Sequence, residues 1–167
     1  SEVTIKSIKM SNGSIKSFRL TRFQFRRDRA IGDSQVRFED YNGFALELAD
    51  DAGHTGLGFA HSMWDPVPAL AALEASFVGR IWPGLDGKTP AALIHRVTRP
   101  RGGNQRDETY GFGEALQIAL WDLAAQQAGL PLADYLGGER RSAPVYASGL
   151  DFHLSDTEFE SFFGTAA

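Results

Sequence analysis

The sequence contains no cysteine. That single absence removes disulfides, thiolate nucleophiles, zinc ribbons and iron–sulfur clusters. No run approaches the ~18 apolar residues that a membrane-spanning helix requires, so no membrane partner is expected. No apolar stretch follows the first lysines, so a secretory signal is not expected and a cytoplasmic location is. A dinucleotide fingerprint is also missing. Gly56-Leu57-Gly58 follows a hairpin, but His61 stands where the third glycine belongs, and no helix opens there. The four histidines, His54, His61, His95 and His153, form no i, i+4 helical pair, and no carboxylate stands beside them at metal-ligand spacing. Neither a Ser/His/Asp arrangement nor a paired acid and base can be assigned.

What remains is ordinary globular composition: 167 residues, 43% hydrophobic, 23% charged and 11% aromatic. Such a chain buries about 70% of its unfolded surface, enough for one core with room for a piece of a second domain. The net charge of −4 is uneven. Residues 1–37 carry nine Lys/Arg against three Asp/Glu, and the rest carry eight against eighteen. A basic first segment on an acidic body fits an anion-binding edge or a solvated strand surface equally well. The run Arg22-Phe23-Gln24-Phe25-Arg26-Arg27-Asp28-Arg29 interleaves bases with aromatics, as single-stranded nucleic-acid binders do. A pI near 5.5 argues against that partner and leaves a strand edge or a small-anion loop.

The first sixty residues read as a meander of strands. Val3–Met10 alternates, Ser11-Asn12-Gly13 turns, and Ser14–Phe25 follows, with a parity shift between Ile15 and Phe18 that predicts a bulge. The polar stretch Arg26–Gln35 interrupts before Tyr41–Ala49 resumes the alternation. Asp50-Asp51-Ala52-Gly53 is the next hairpin connection, and Thr55–Ala60 returns. After Trp64 the period becomes helical. Asp65 and Pro66 can start a helix that stops before Pro83-Gly84, and Thr89-Pro90 opens a second, on which His95 sits. Gly111-Phe112-Gly113 reads as a flexible lead-in to the strongest helix, Gly113–Ala128. Its apolar stripe is broad enough to imply burial between two layers. Gly129 supplies its left-handed cap and Pro131 forbids continuation. Asp122 within that stripe reads as a structural hydrogen-bond partner, with catalysis the minority alternative. Val145-Tyr146-Ala147 reads as a strand, and Ser155 or Asp156 opens a last helix through Phe163. The fold class is therefore α+β: an antiparallel meander, a helical bundle, then one βα unit.

The run Ala115-Leu116-Gln117-Ile118-Ala119-Leu120-Trp121-Asp122-Leu123 continues through Gly129-Leu130-Pro131-Leu132, Leu136-Gly137-Gly138 and Pro144-Val145-Tyr146-Ala147-Ser148. It resembles the end of the capping domain of the enolase superfamily, in its mandelate racemase/muconate lactonizing enzyme branch. Asp51–Gly58 is similar to that family's third capping strand, although members continue with Glu-Ala where this chain has Phe59-Ala60. The resemblance implies a capping domain over 1–140 and the first strand and helix of a TIM-type barrel over 141–167. It implies an enzyme that uses Mg²⁺ and a lysine or histidine base to remove the proton α to a carboxylate, with the metal stabilising the enediolate. An acid-sugar dehydratase is the leading expectation. A racemase or cycloisomerase of the same branch, or a stand-alone capping module for binding or assembly, is the alternative.

A complete barrel needs about 200 residues. The family's base and metal ligands lie on later barrel strands. They are therefore expected beyond Ala167, with none in this chain, and the 167 residues alone are expected to be inactive. The resemblance assigns substrate selection to two capping loops, near Arg26–Gln35 and His61–Trp64. Arg26, Arg27, His61 and Trp64 are thus candidate contacts to a small carboxylate or acid-sugar substrate, together with Ser148 at the end of the first barrel strand. A homo-oligomer is the expected assembly.

Overall fold

The structure is a computed structural model that describes residues 13–32, 35, 37–62, 67–94, 112–138, 142, 144–146 and 154–165. Three antiparallel strands form one sheet in the order β1-β2-β3: β1 is Ile15–Gly32, β2 is Arg37–Asp50 and β3 is Thr55–Ser62. Five helices follow: α1 (Leu70–Arg80), α2 (Pro90–Ile94), α3 (Phe112–Gln127), α4 (Leu132–Tyr135) and α5 (Asp156–Gly164), with a 3-10 turn at Trp82–Gly84. The expected α+β meander and helices are present. The expected strand at Val3–Met10, the histidines His95 and His153, and Ala167 lie outside the described residues.

Alternation decides which side of the sheet is covered. Leu20, Phe44, Leu46 and Leu48 point to the helices and are buried, whereas the intervening Arg19, Thr21, Ala45 and Glu47 point away. The expected bulge lies between Ile15 and Ser17 and lets Ile15 and Leu20 share the buried side despite their odd spacing. Phe18 packs on Phe77 at 4.6 Å and on Trp82 at 4.9 Å, while Phe112 meets Phe44 at 5.1 Å and Phe77 at 5.3 Å. Each fully buried ring contributes roughly 1.5–3 kcal/mol relative to exposure. Phe112 therefore anchors the first turn of α3: it is fully buried among these aromatics, so Phe112-Gly113 belongs to the helix and is no flexible lead-in, while Gly111 lies outside the described residues.

The tightest packing is between α3 and β3. The β3 residues facing the helices are Gly56, Gly58 and Ala60, opposite Leu48, Leu46 and Phe44. A Cβ on Gly58 would run into the Ala115 carbonyl oxygen and come within 2.7 Å of the Ala119 nitrogen. One on Gly56 would meet the Ala119 carbonyl oxygen and Leu123. The Gly-x-Gly pattern thus serves backbone contact between a strand and a helix. The helix also covers the free edge of the sheet. Asp122 Oδ2 accepts from the Leu57 N–H at 2.8 Å, and Gln126 Nε2 donates to the Thr55 carbonyl at 2.7 Å and to Asp122 at 3.1 Å. Asp122 is thus the structural partner the sequence suggested, at an edge that would otherwise invite another strand.

Helix ends follow their local chemistry. The Leu130 N–H bonds to Ala125 O and the Gly129 N–H to Gln126 O, with Gly129 at φ +66°. The same arrangement recurs at Gly137-Gly138 after α4. Ser155 caps α5 in a reciprocal box with Glu158. Four sequence expectations change. First, β1 runs on through Arg26–Gly32 and β2 begins at Arg37, so the presumed interrupting loop is mostly strand, held by cross-strand pairing and an Arg26–Glu39 ion pair at 2.6 Å. Second, α1 starts at Leu70 after Ala69, because Pro68 disfavours a helical conformation at Val67; Asp65 and Pro66 lie outside the described residues. Third, α3 is less enclosed than burial between two layers implies: Ile118 is 39% exposed, and Trp121 is half-buried against Tyr135. Fourth, Val145 and Tyr146 form no strand and are almost fully exposed, since no described strand pairs with them.

Gly58→Ala is expected to cost about 1–3 kcal/mol through overpacking. Gly79→Ala, in α1 with open space around its Cβ, is expected to stabilise by up to about 1 kcal/mol. Urea midpoints of the two variants, moving in opposite directions, check both.

Candidate functional site

At the far end of the sheet the β1–β2 ribbon becomes irregular. Arg26 pairs with Asp40 and Ile31 with Phe38, so residues 27–30 of β1 stand against Glu39 alone. An expansion of this kind re-aims side chains. Arg26 and Arg27 consequently go to different places. Arg26 is committed to Glu39, which also faces Arg37 at 3.6 Å. Arg27 brings its guanidinium carbon to 5.1 Å from the centre of the Tyr41 ring. A cation over a tyrosine face gains about 0.5–2 kcal/mol, more as water is excluded. The Arg27 Nε is buried and has no hydrogen-bond partner among the described residues. Arg29, further along, lies 4.5 Å from the Phe162 ring of α5, beside an open cleft of about 640 Å³.

Tyr41 is opposite Phe25 in the ladder, and Gly43 is opposite both Phe23 and His61. Gly43 has no side chain, and the Phe23 ring occupies that space. Four rings therefore gather on the side of the sheet away from the helices. Tyr41 stacks with His61 at 5.2 Å and 13°, with Phe25 at 5.1 Å and with Phe23 at 6.1 Å. Beyond His61, an open groove of about 280 Å³ runs to Phe59 on β3 and to Glu114, Gln117 and Ile118 on α3. Of the sequence-derived candidates, Arg27 and His61 are joined through Tyr41, and Arg26 is turned away into its ion pair. Trp64, Ser148 and Ala167 lie outside the described residues. Tyr41 itself was missed. The available signal was the parity of Phe23 and Phe25, opposite to that of Leu20, which puts an aromatic pair beside Tyr41 on the uncovered side.

The other polar cluster is structural. The Asp50 side chain is fully buried at the β2–β3 hairpin. Its Oδ1 accepts from the Ala52 and His54 N–H groups at 2.9 and 2.8 Å. Its Oδ2 lies 2.9 Å from His54 Nδ1 and accepts from Gln127 Nε2 at 2.9 Å. Burial alone would push this carboxyl up. The hydrogen bonds from Gln127, His54 and Ala52 outweigh it and hold the carboxyl below its ordinary value of 3.8. His54 is thus a hairpin residue, and Gln127 ties the hairpin to α3 and to the Gly13 carbonyl. Among the described residues, no group of three or more His, Asp or Glu side chains could hold a metal ion. None of their helices is long and apolar enough to cross a membrane.

The likeness of this chain to the mandelate racemase/muconate lactonizing enzyme branch of the enolase superfamily holds in both fold and sequence, and its antiparallel three-stranded sheet with helices is consistent with that superfamily's N-terminal capping domain. The particular relatives are these. A provisionally named mandelate racemase of Mesorhizobium loti is 51% identical, with a TM-score of 0.80 over 92% of this chain and 40% of its own. The L-talarate dehydratase of Polaromonas sp. JS666, solved with Mg and L-glucarate, is 26% identical, with a TM-score of 0.69 over 92% of this chain and 43% of its own. The 3,6-anhydro-alpha-L-galactonate cycloisomerase of Streptomyces coelicolor is 28% identical over 127 residues, which is 69% of this chain and 32% of that protein. The chain thus spans about a third of the curated relative and two-fifths of the solved ones. No protein-family model matches it.

The Asp50 cluster makes a pH prediction. A carboxyl whose pKa is lowered by folding contributes stability that is complete above 3.8 and lost as pH falls through the lower folded value. Asp50→Asn is expected to cost about 1.5–3 kcal/mol at neutral pH. It is also expected to flatten the acid limb of the stability curve, measured by urea unfolding between about pH 2 and 7.

Proposed function

We propose that this chain is the N-terminal part of a Mg²⁺-dependent enolase-superfamily enzyme that removes the proton α to a carboxylate, acting as an acid-sugar dehydratase. In this reading residues 1–140 form the capping domain and 141–167 begin the barrel. The base and the metal ligands belong to the part of the barrel beyond Ala167.

One observation carries the reading. The sheet end that would close over a barrel mouth holds an arginine whose buried Nε–H has no partner among the described residues, set on an aromatic cluster with a histidine beside it. A guanidinium there is a match for an oxygen-rich anion. Closure of such an end excludes water, and charge recognition strengthens in the lower dielectric. Arg27 binds and orients the substrate, His61 lines the same end, and Arg26 holds the ribbon in shape. Support for an acid-sugar substrate comes from the dehydratase relative and its sugar-acid ligand. The racemase and cycloisomerase relatives favour the second reading, a racemase or cycloisomerase with the same proton abstraction. The expected enzyme is a cytoplasmic homo-oligomer acting on a small carboxylate, with no nucleic-acid partner.

The test is turnover of an acid-sugar panel by the full-length enzyme with Mg²⁺. Arg27→Gln is expected to raise KM about 10- to 150-fold, as loss of a hydrogen bond to a charged group does, with a smaller change in kcat. The 167 residues alone are expected to turn over nothing. No turnover of any acid sugar by the full-length enzyme contradicts the reading. Turnover by the chain alone contradicts the placement of the machinery in the barrel.

A further inference from the structure

We propose that Tyr41 is a positioning residue that fixes Arg27 and His61 as one substrate-facing unit; this rests on the function proposed above and adds a residue that neither the motifs nor the relatives assign. Arg27 and His61 come from β1 and β3, the two outer strands among the described residues, which do not pair with each other. Tyr41, on the central strand between them, meets both: 5.1 Å from ring centre to guanidinium carbon on one side of the ladder, 5.2 Å from ring to imidazole on the other. Phe25 and Phe23 stack on Tyr41 as well and limit the directions in which its ring can lean.

Arg27 needs such a support. It sits in the irregular stretch where residues 27–30 face only Glu39, so the ladder gives it little guidance. Its neighbour Arg26 is held by an ion pair, whereas no ion pair holds Arg27 among the described residues. His61 belongs to the edge strand, one residue from its end. Without the Tyr41 ring, each would sample its own rotamers, and the guanidinium would lose its aim. The support comes from the aromatic face and not the phenol hydroxyl, so phenylalanine should replace tyrosine and leucine should not.

Two measurements test this. In the ¹⁵N/¹³C-labelled chain, the Arg27 Nε–H proton and the His61 ring protons are expected to lie upfield of ordinary arginine and histidine signals, owing to the Tyr41 ring. The displacement should persist in Tyr41→Phe and vanish in Tyr41→Leu while the strand amides stay dispersed. If Tyr41→Leu fails to fold, His61→Gln takes its place: it should shift the Arg27 signal through the shared ring. An Arg27 signal that ignores both changes overturns the proposal. In the full-length enzyme, Tyr41→Leu should raise KM at least ten-fold, Tyr41→Phe should leave it within two-fold, and Tyr41→Leu with Arg27→Gln should be no worse than Arg27→Gln alone. Additive effects overturn the positioning role. Absence of all acid-sugar turnover defeats the functional reading instead, and leaves the spectroscopic result to stand or fall by itself.

Discussion

The backbone of α3 lies directly on the backbone of β3, and the rest of the structure is arranged around that contact. It is allowed because Gly56 and Gly58 present no side chain and Ala115 and Ala119 present small ones. So close an approach brings Asp122 and Gln126 within reach of the strand edge, where they satisfy the Leu57 N–H and the Thr55 carbonyl. It also seats Phe112 between Phe44 and Phe77, and through them orders α1 against the sheet. Gln127, one turn beyond Leu123, reaches back to the buried Asp50 and closes the β2–β3 hairpin. Sheet edge, aromatic core and hairpin are thus set by one helix whose position leaves room for no side chain on the strand it covers.

With α1 and α3 packed on one side of the described sheet, the opposite side carries the aromatic cluster at its far end. The sheet supplies a rigid register there, and the ribbon irregularity beyond Arg26 supplies the departure from it. Two adjacent arginines take different roles for this reason. Arg26, still in register, is neutralised across the ribbon by Glu39, whereas Arg27 sits over an aromatic ring with its Nε–H unmatched.

Much of this was legible in the sequence. The period change after Trp64, the glycine caps of α3 and α4, the Ser155 start of α5 and the Ile15/Ser17 bulge all follow from local chemistry that acts over a few residues. The resemblance carried by the α3 run located the family. What could not be read depended on partners distant in sequence. The polar run Arg26–Gly32 looked like a loop because its pairing with Arg37–Asp40 and its ion pair are cross-strand facts. Phe112 looked like a linker because its burial depends on Phe44 and Phe77. Val145-Tyr146 looked like a strand because its residue types favour one, yet a strand exists only where another pairs with it. Tyr41 gave no local sign of its place between two strands that do not touch.

Hydrogen exchange at the Leu57 amide tests the central contact most directly. This N–H points off the sheet edge, where exchange would be fast if water reached it. With α3 seated on Gly56 and Gly58 and Asp122 accepting at 2.8 Å, it should exchange as slowly as the amides of the central strand, and should speed up in Asp122→Ala. A Leu57 amide that exchanges at the rate of an uncovered edge in the unaltered chain would show that α3 does not lie on β3 in this way.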